Sequence, residues 1–273
     1  MKKNQKVLRL VEGALLLAVA TVLSMIKLID LPYGGSVTAC SALPVLLVGY
    51  RHGTGYGLFS GAVYALIQLL LGLSTLSYCP TPLAVVAVIV LDYVLAFVVL
   101  GLGGVFRRAD RSQAKALVAA ALLVCVLRYA FHVISGCTVW AGLSIPTEAA
   151  LLYSLAYNAT YMLPETLVTV LGAWYLSRVL DVGSERLGRV TGATEASGKA
   201  YACGLIAKGI FVLTAVTVIV LVFGHLQDAQ TGDFIITGLL SVSWVTVGVV
   251  TVVGVALGII AAALGNHYKK KTD

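Results

Sequence analysis

Several polar side chains lie inside long apolar stretches of the chain, where an ionisable group is costly and is usually retained for function. Asp92 lies within VIVLDYVLAF, whereas Arg128 and His132 are four residues apart and therefore share one helical face. Asn158 and Glu165 lie in the apolar stretch that follows. A carboxylate, an imidazole and an amide from three segments can together surround a polar ligand, and the carboxylate would be the counter-charge of a cation.

Aromatic residues accompany these groups. Tyr78 precedes the stretch that holds Asp92, Trp140 follows the one that holds His132, and Tyr153 and Tyr157 come shortly before Asn158. Flat rings stack on other rings, and their faces attract cations. The set predicts a pocket for a flat, positively charged ligand with polar edges, although Tyr and Trp are also the residue types of a membrane interface.

The same charges allow other pairings. Asp92 could form a structural ion pair with Arg128, and Arg128 could instead pair with Glu165 deeper in the protein. His132 could cap a backbone carbonyl group. Glu12, near the start of the first apolar run, is expected to be a solvated charge at a helix end.

The elements that position these residues follow from composition. Hydrophobic residues make up 59% of the 273 residues, charged residues only 11%, and the mean hydropathy is +0.97. A soluble domain carries about 25% charged residues, so this chain has too few to cover a water-facing surface. The chain is predicted to be an all-α polytopic membrane protein. Its five cysteines include no Cys-x-x-Cys pair, so neither a zinc site nor a redox motif is indicated, and no cofactor is expected.

Eight apolar runs predict eight helices, at about 8–28, 39–50, 53–72, 83–106, 115–135, 148–177, 203–224 and 235–265. The run 39–50 is about half as long as a bilayer requires. All but two of the 19 basic residues, Lys27 and Arg128, fall on alternate loops or ends. This positive-inside pattern predicts that both termini are cytoplasmic, and it explains the net charge of +7 without nucleic-acid binding.

The stretch 181–200 is polar and rich in Gly, Ser and Thr, so it predicts a cytoplasmic linker. It divides a membrane domain at 1–180 from a two-helix transmembrane extension at 201–273. Inside it, Gly192 and Gly198-Lys199 imitate a phosphate-binding loop, but the spacing is too long and Ala200 follows the lysine. If ATP drives this protein, another chain must bind it.

Four stretches make the sequence similar to a known family. They are VEGA at 11–14, GLFSGAVYALIQLLLG at 57–72, RYAFHVISGCTVW at 128–140 and LYSLAYNATYMLPE at 152–165. With them, the chain resembles the thiamine-specific S-component, the substrate-binding membrane subunit of energy-coupling factor (ECF) vitamin transporters. The likeness covers about 1–180, and the extension at 201–273 has no counterpart in that six-helix family.

The resemblance implies a six-helix bundle with the vitamin bound near the outer surface. It implies that thiamine is contacted by His132, Trp140, Tyr153 and Asn158, with Asp92 standing where the family commonly has Glu. Tyr78 and Tyr33 are the nearest candidates for two further aromatic contacts.

The resemblance also implies partners: a transmembrane coupling protein and two cytoplasmic ATPase subunits. Ala14 and Ala18 are four residues apart on the first helix, and small residues at this spacing let helices approach closely in lipid. In the family this surface meets the coupling protein. The implied location is the bacterial cell membrane.

The expected function is therefore capture of thiamine from the outer side by a membrane subunit of an ATP-driven importer, and not an enzymatic activity. One alternative is an S-component for another vitamin or a thiamine precursor. Another is a self-contained secondary transporter in which Asp92 and Arg128 relay ions, although no inverted repeat is evident. An intramembrane enzyme would need Asp92, His132 and Glu165 in one tight motif, which the spacing does not indicate.

Overall fold

The computed structural model describes residues 2–31, 35–108, 112–142, 145, 147–184, 187–189, 198–226 and 235–270. The long helices in these ranges, numbered in chain order, are α1 (Lys2–Met25), α2 (Ala42–His52), α3 (Thr54–Leu71), α4 (Pro82–Gly104), α5 (Gln113–Thr138), α6 (Ala150–Val179), α7 (Gly198–Phe223) and α8 (Trp244–Lys270). They confirm the predicted all-α fold. The last helix begins nine residues later than predicted, because a 3-10 turn occupies Ile236–Leu240.

In the described part of the chain, two short antiparallel strand pairs, which the hydropathy pattern did not indicate, interrupt the helices. Strand β1 (Lys27–Asp30) pairs with β2 (Ser36–Thr38) between α1 and α2. Strand β3 (Leu180–Asp181) pairs with β4 (Gly188–Arg189) across the start of the predicted linker, since Leu180 is the last residue of the predicted membrane domain. Backbone contacts divide the chain into two compact units, 1–190 and 191–273.

Within the described ranges, six helices are long and apolar enough to cross a membrane: α1, α3, α4, α5, α7 and α8. Helix α6 is also long, with 30 residues, but it carries many polar side chains. Helix α2 has only 11 residues, so it measures about 17 Å, and every residue from Ala42 to Tyr50 is buried. It is a core helix of the first unit.

Glycines allow α2, α3 and the end of α4 to pack with their backbones almost in contact. A Cβ on Gly101 would collide with the carbonyl carbon of Gly57, and one on Gly49 would collide with the Gly101 carbonyl oxygen. Gly53, which separates α2 from α3, has φ +93°, a conformation that residues with a side chain rarely adopt. This close packing forms one wall of the first unit.

Glu12, Arg51 and His52 form an ion cluster at the end of this unit that carries the N-terminus. The expectation that Glu12 is a solvated charge is therefore wrong. The Glu12 side chain is only 13% exposed, and its Oε1 lies 2.6 Å from Nε of Arg51. Nε2 of His52 lies 2.9 Å from the other carboxylate oxygen. Arg51 also donates to the carbonyl oxygen of Val182, which ties the end of α2 to the chain after α6. Glu12 is buried because α1 packs against the end of α2, a neighbour that hydropathy does not reveal.

Helices α7 and α8 form the second unit. A Cβ on Gly254 would collide with Thr214, and one on Gly258 with the ring of Phe211. The small residues of α8 therefore face α7 and let the two helices pack closely.

Candidate functional site

A cavity of about 470 Å³ lies in the first unit, at the end that carries the β1–β2 hairpin. Its walls come from the end of α1, from the hairpin, and from α3, α4, α5 and α6. Pockets for small ligands commonly measure about 300–1,000 Å³. The volume is therefore sufficient for a molecule of vitamin size.

Asp92 is the acid of this cavity, and a local irregularity of α4 positions it. Residues Ile89–Leu95 form a π-helical turn, an insertion that changes the direction of the following side chains and is frequent at functional sites. The Asp92 carboxylate accepts three hydrogen bonds, from His132 Nδ1 at 2.8 Å, Ser135 Oγ at 2.5 Å and Trp140 Nε1 at 3.2 Å. Three donors from one neighbouring helix and its following loop thus hold the carboxylate against the wall of the cavity.

His132 binds Asp92 and does not cap a carbonyl group. An ionised carboxylate only accepts hydrogen bonds, which assigns a proton to Nδ1 of His132. The imidazole ring also meets the edge of Tyr161 at a centroid distance of 5.9 Å. The Asp92–Arg128 ion pair is absent among the described residues, because the carboxylate is occupied by His132, Ser135 and Trp140.

Asn158 joins α6 to α5. Its Nδ2 donates to the carbonyl oxygens of His132 at 3.2 Å and of Ser154 at 2.9 Å. Its Oδ1 accepts a 2.5 Å hydrogen bond from the hydroxyl group of Tyr161. Asn158 therefore holds the backbone beneath His132 and the Tyr161 ring in fixed positions.

Two tyrosines of α6 form an aromatic wall. The rings of Tyr157 and Tyr161 are 6.1 Å apart and nearly perpendicular. The β1–β2 hairpin lies directly on them, since a Cβ on Gly35 would come within 2.8 Å of the Tyr161 ring. Sequence reasoning missed Tyr161, although its position four residues after Tyr157 puts it on the same helical face.

Trp140 closes the wall beside Asp92. Its ring packs in an apolar cluster with Val88, Ile145 and Tyr153. Tyr153 thus packs against the cluster that contains Trp140 and does not line the cavity. Cys79 lies at the edge of the same cluster, where burial, reinforced by the charge of Asp92, raises the pKa of its thiol.

Arg128 and Glu165 lie deeper in the cavity, toward the end of the first unit that carries the ion cluster of Glu12. Both oxygens of Glu165 accept hydrogen bonds from Thr38, one from its backbone N–H at 2.7 Å and one from its hydroxyl group at 2.9 Å. The Arg128 guanidinium lies over the ring of Phe97, 5.0 Å from the centroid. Among the described residues Arg128 and Glu165 form no ion pair, so the expected Arg128–Glu165 pairing is wrong. Thr38 satisfies the carboxyl group in its place.

The structure therefore brings most of the predicted site residues to one cavity. Those that line it are Asp92, His132, Trp140, Tyr157 and Asn158. Tyr78 is 53% exposed and lies outside the lining, and Tyr33 lies outside the described residues. No group of three or more His, Cys, Asp or Glu side chains able to hold a metal ion occurs in the described part of the chain.

Comparisons with known proteins match this part of the chain. The family described as "Thiamine transporter protein" matches residues 10–182. The chain belongs to this family. It is 32% identical to the thiamine transporter ThiT of Bacillus subtilis over 179 residues, which are 62% of this chain and 89% of that protein. The solved structure of ThiT from Listeria monocytogenes superposes with a TM-score of 0.51 at 26% identity, and covers 63% of this chain and 94% of that one.

Family membership fixes the class of the protein. The chain is a multi-pass membrane protein of a transporter family, which confirms the predicted class and excludes the enzyme reading. The family match ends at residue 182, so helices α7 and α8 lie beyond the matched part.

Proposed function

We propose that this chain is the thiamine-binding membrane subunit of an ATP-driven ECF-type importer in the bacterial cell membrane. The observation that carries the proposal is the position of Asp92, a carboxylate held at the cavity wall by His132, Ser135 and Trp140. The names of the relatives support thiamine as the ligand.

The chemistry of the cavity suits thiamine. Thiamine joins an aminopyrimidine ring to a positively charged thiazolium ring, and it ends in a hydroxyethyl group. Asp92 supplies a negative charge for the cation, and the rings of Trp140, Tyr157 and Tyr161 supply surfaces for stacking and cation–π attraction. Tyr153, Tyr78 and Tyr33 remain proposed contacts, and Tyr153 would act by supporting Trp140.

The proposed orientation follows from charge. The end of the first unit that carries the N-terminus also carries Arg51 and Arg107, which donate to carbonyl oxygens there. Further lysines lie at the start of the chain, at positions 2, 3 and 6. Because basic residues favour the cytoplasmic side, this end and both termini would face the cytoplasm. The cavity at the opposite end would then receive thiamine from outside.

The partners would be a transmembrane coupling protein and two cytoplasmic ATPase subunits. Ala14 and Ala18 are exposed on α1. Val11, Leu15 and Val22 continue the same exposed face, with 51, 62 and 60% of their surfaces accessible. Two small residues within an apolar stripe let a partner helix approach closely, so we assign this face to the coupling protein.

The test of ligand identity is calorimetric titration of the purified full-length chain with thiamine. We expect saturable binding with one site per chain. Another ring-shaped vitamin or the isolated aminopyrimidine precursor serves as the competitor. Tighter binding of the competitor would assign the protein to another vitamin or to a thiamine precursor, and no thiamine binding would reject the proposal.

The test of energy coupling is uptake of radiolabelled thiamine by proteoliposomes. The chain reconstituted alone should not accumulate the vitamin, whereas the chain with a coupling protein and two ATPase subunits should do so when ATP is added. Uptake by the chain alone, driven by an ion gradient, would instead establish a self-contained secondary transporter.

A further inference from the structure

Arg128 has no role in the site described so far. Its side chain lines the cavity and is 92% buried, since only 8% of its surface is accessible. Its Nε is completely buried and has no hydrogen-bond partner among the described residues. A guanidinium group is always charged, and although the Glu165 charge is near enough to interact with it, the two side chains form no ion pair among the described residues. Burying such a group without a hydrogen-bond acceptor is unfavourable. Such a group in a ligand cavity indicates that an acceptor is supplied from outside the protein.

The nearby residues do not supply that acceptor. Glu165 accepts from Thr38 and forms no ion pair with Arg128 among the described residues, and the Asp92 carboxylate binds His132, Ser135 and Trp140. Phe97 offers only its ring face to Arg128. The guanidinium packs on Phe97 at the cavity wall. Because its Nε is closed off from the cavity, the terminal NH₂ groups are the donors left for a ligand.

The cavity consequently has two chemically different ends. Arg128 precedes His132 by one turn of α5 and Ser135 by about two, so it lies roughly 6–10 Å below the residues that bind Asp92, at 1.5 Å per residue. One end presents the negatively charged hydrogen-bond acceptor Asp92. The other end presents the positively charged hydrogen-bond donors of Arg128. An elongated ligand with donors and a cation toward one end and an oxygen acceptor at the other matches this arrangement.

We propose that Arg128 is a specificity-determining residue that donates a hydrogen bond to the terminal oxygen of the ligand. This inference rests on the proposed function, and for thiamine the oxygen is that of the hydroxyethyl group. A hydroxyl fits better than a phosphate ester, because the carboxyl oxygens of Glu165 lie at the same end and would repel further negative charge. The aminopyrimidine and thiazolium rings then occupy the end that carries Asp92.

The test compares three ligands on the full-length protein by titration: thiamine, its analogue in which hydrogen replaces the hydroxyl group, and thiamine monophosphate. A hydrogen bond to a charged group contributes about 1.5–3 kcal/mol, so the wild-type chain should prefer thiamine over the deoxy analogue by about 10- to 100-fold. In Arg128→Met this preference should fall to nearly one. Arg178→Met, on the exposed last turn of α6, makes the same chemical change away from the cavity and should keep the preference.

The outcomes separate the two proposals. If the wild-type chain does not bind thiamine, the proposed function fails. If it binds thiamine and the deoxy analogue equally, Arg128 does not contact the hydroxyl group, and this result needs no variant that folds. A wild-type preference for thiamine that persists in Arg128→Met would also overturn the proposal. So would an equal loss of affinity for thiamine and for the deoxy analogue in this variant, because that result indicates a structural role. A preference for the monophosphate that depends on Arg128 would replace the hydroxyl group with phosphate and refute the assignment made here.

Discussion

Replacement of Asp92 by asparagine tests the electrostatic basis of ligand binding with little disturbance of the fold. An amide oxygen can still accept from Ser135 and Trp140, which both bind Oδ2 in the wild-type chain. The amide NH₂ would replace Oδ1 and face Nδ1 of His132. A neutral histidine can move its proton to Nε2 and accept that hydrogen bond. Asp92→Asn therefore keeps all three contacts and removes only the charge.

The loss of one partner of a desolvated charge pair costs about 2–5 kcal/mol, so Asp92→Asn should weaken thiamine binding by about 30-fold or more. The measurement is calorimetric titration of the detergent-solubilised chain. The matched control is a neutral analogue of thiamine in which carbon replaces the charged ring nitrogen. The wild-type chain should bind this analogue weakly, and Asp92→Asn should weaken its binding no further. Equal thiamine affinity of the wild-type chain and the variant would refute the reasoning, because the carboxylate would then serve only to bind His132, Ser135 and Trp140.

Three further predictions concern the rings, the partner face and the ion cluster. Trp140→Ala should weaken thiamine binding by about 0.5–2 kcal/mol through lost stacking and cation–π attraction, with a smaller loss in Tyr153→Ala. Thiamine should quench tryptophan fluorescence, and a quench that persists in Trp140→Phe would place the ligand elsewhere. The double substitution of Ala14 and Ala18 by Leu should leave thiamine affinity unchanged but abolish cellular uptake, because these residues lie about 15 and 9 Å along α1 from Ser24 at the cavity; normal uptake would contradict the assignment of the partner face. Glu12→Ala should lower the thermal unfolding midpoint, because removing one partner of a buried pair costs about 3–5 kcal/mol, whereas Glu148→Ala at an exposed position should not.

The sequence located the residues of the cavity better than it predicted their partners. Asp92, His132 and Asn158 were recognisable because each is a polar group within an apolar run, and the structure brings all three to one cavity. Their hydrogen bonds were not predictable. Whether Asp92 meets His132 or Arg128 depends on the rotation of α4, which the π-helical turn at Ile89–Leu95 changes.

For the short helix α2, too, the sequence predicted the element but not its surroundings. Its apolar run was evident, and its length indicated that it could not span a bilayer alone. That it is a fully buried core helix follows from glycine contacts with α3 and α4, which join residues about 50 positions apart, such as Gly49 and Gly101.

The sequence by itself determined the class of the protein, the approximate helix positions and the alternation of basic loops. The physical reason is that partition between lipid and water acts on each segment largely independently of the others. Only the tertiary structure decided that Glu12 is buried in an ion cluster and that Thr38, and not Arg128, satisfies Glu165. It also decided that Arg128 lines the cavity while its buried Nε has no hydrogen-bond partner among the described residues. These outcomes depend on helix rotation and on neighbours distant in sequence, because a buried charge takes whichever partner packing brings within hydrogen-bonding distance.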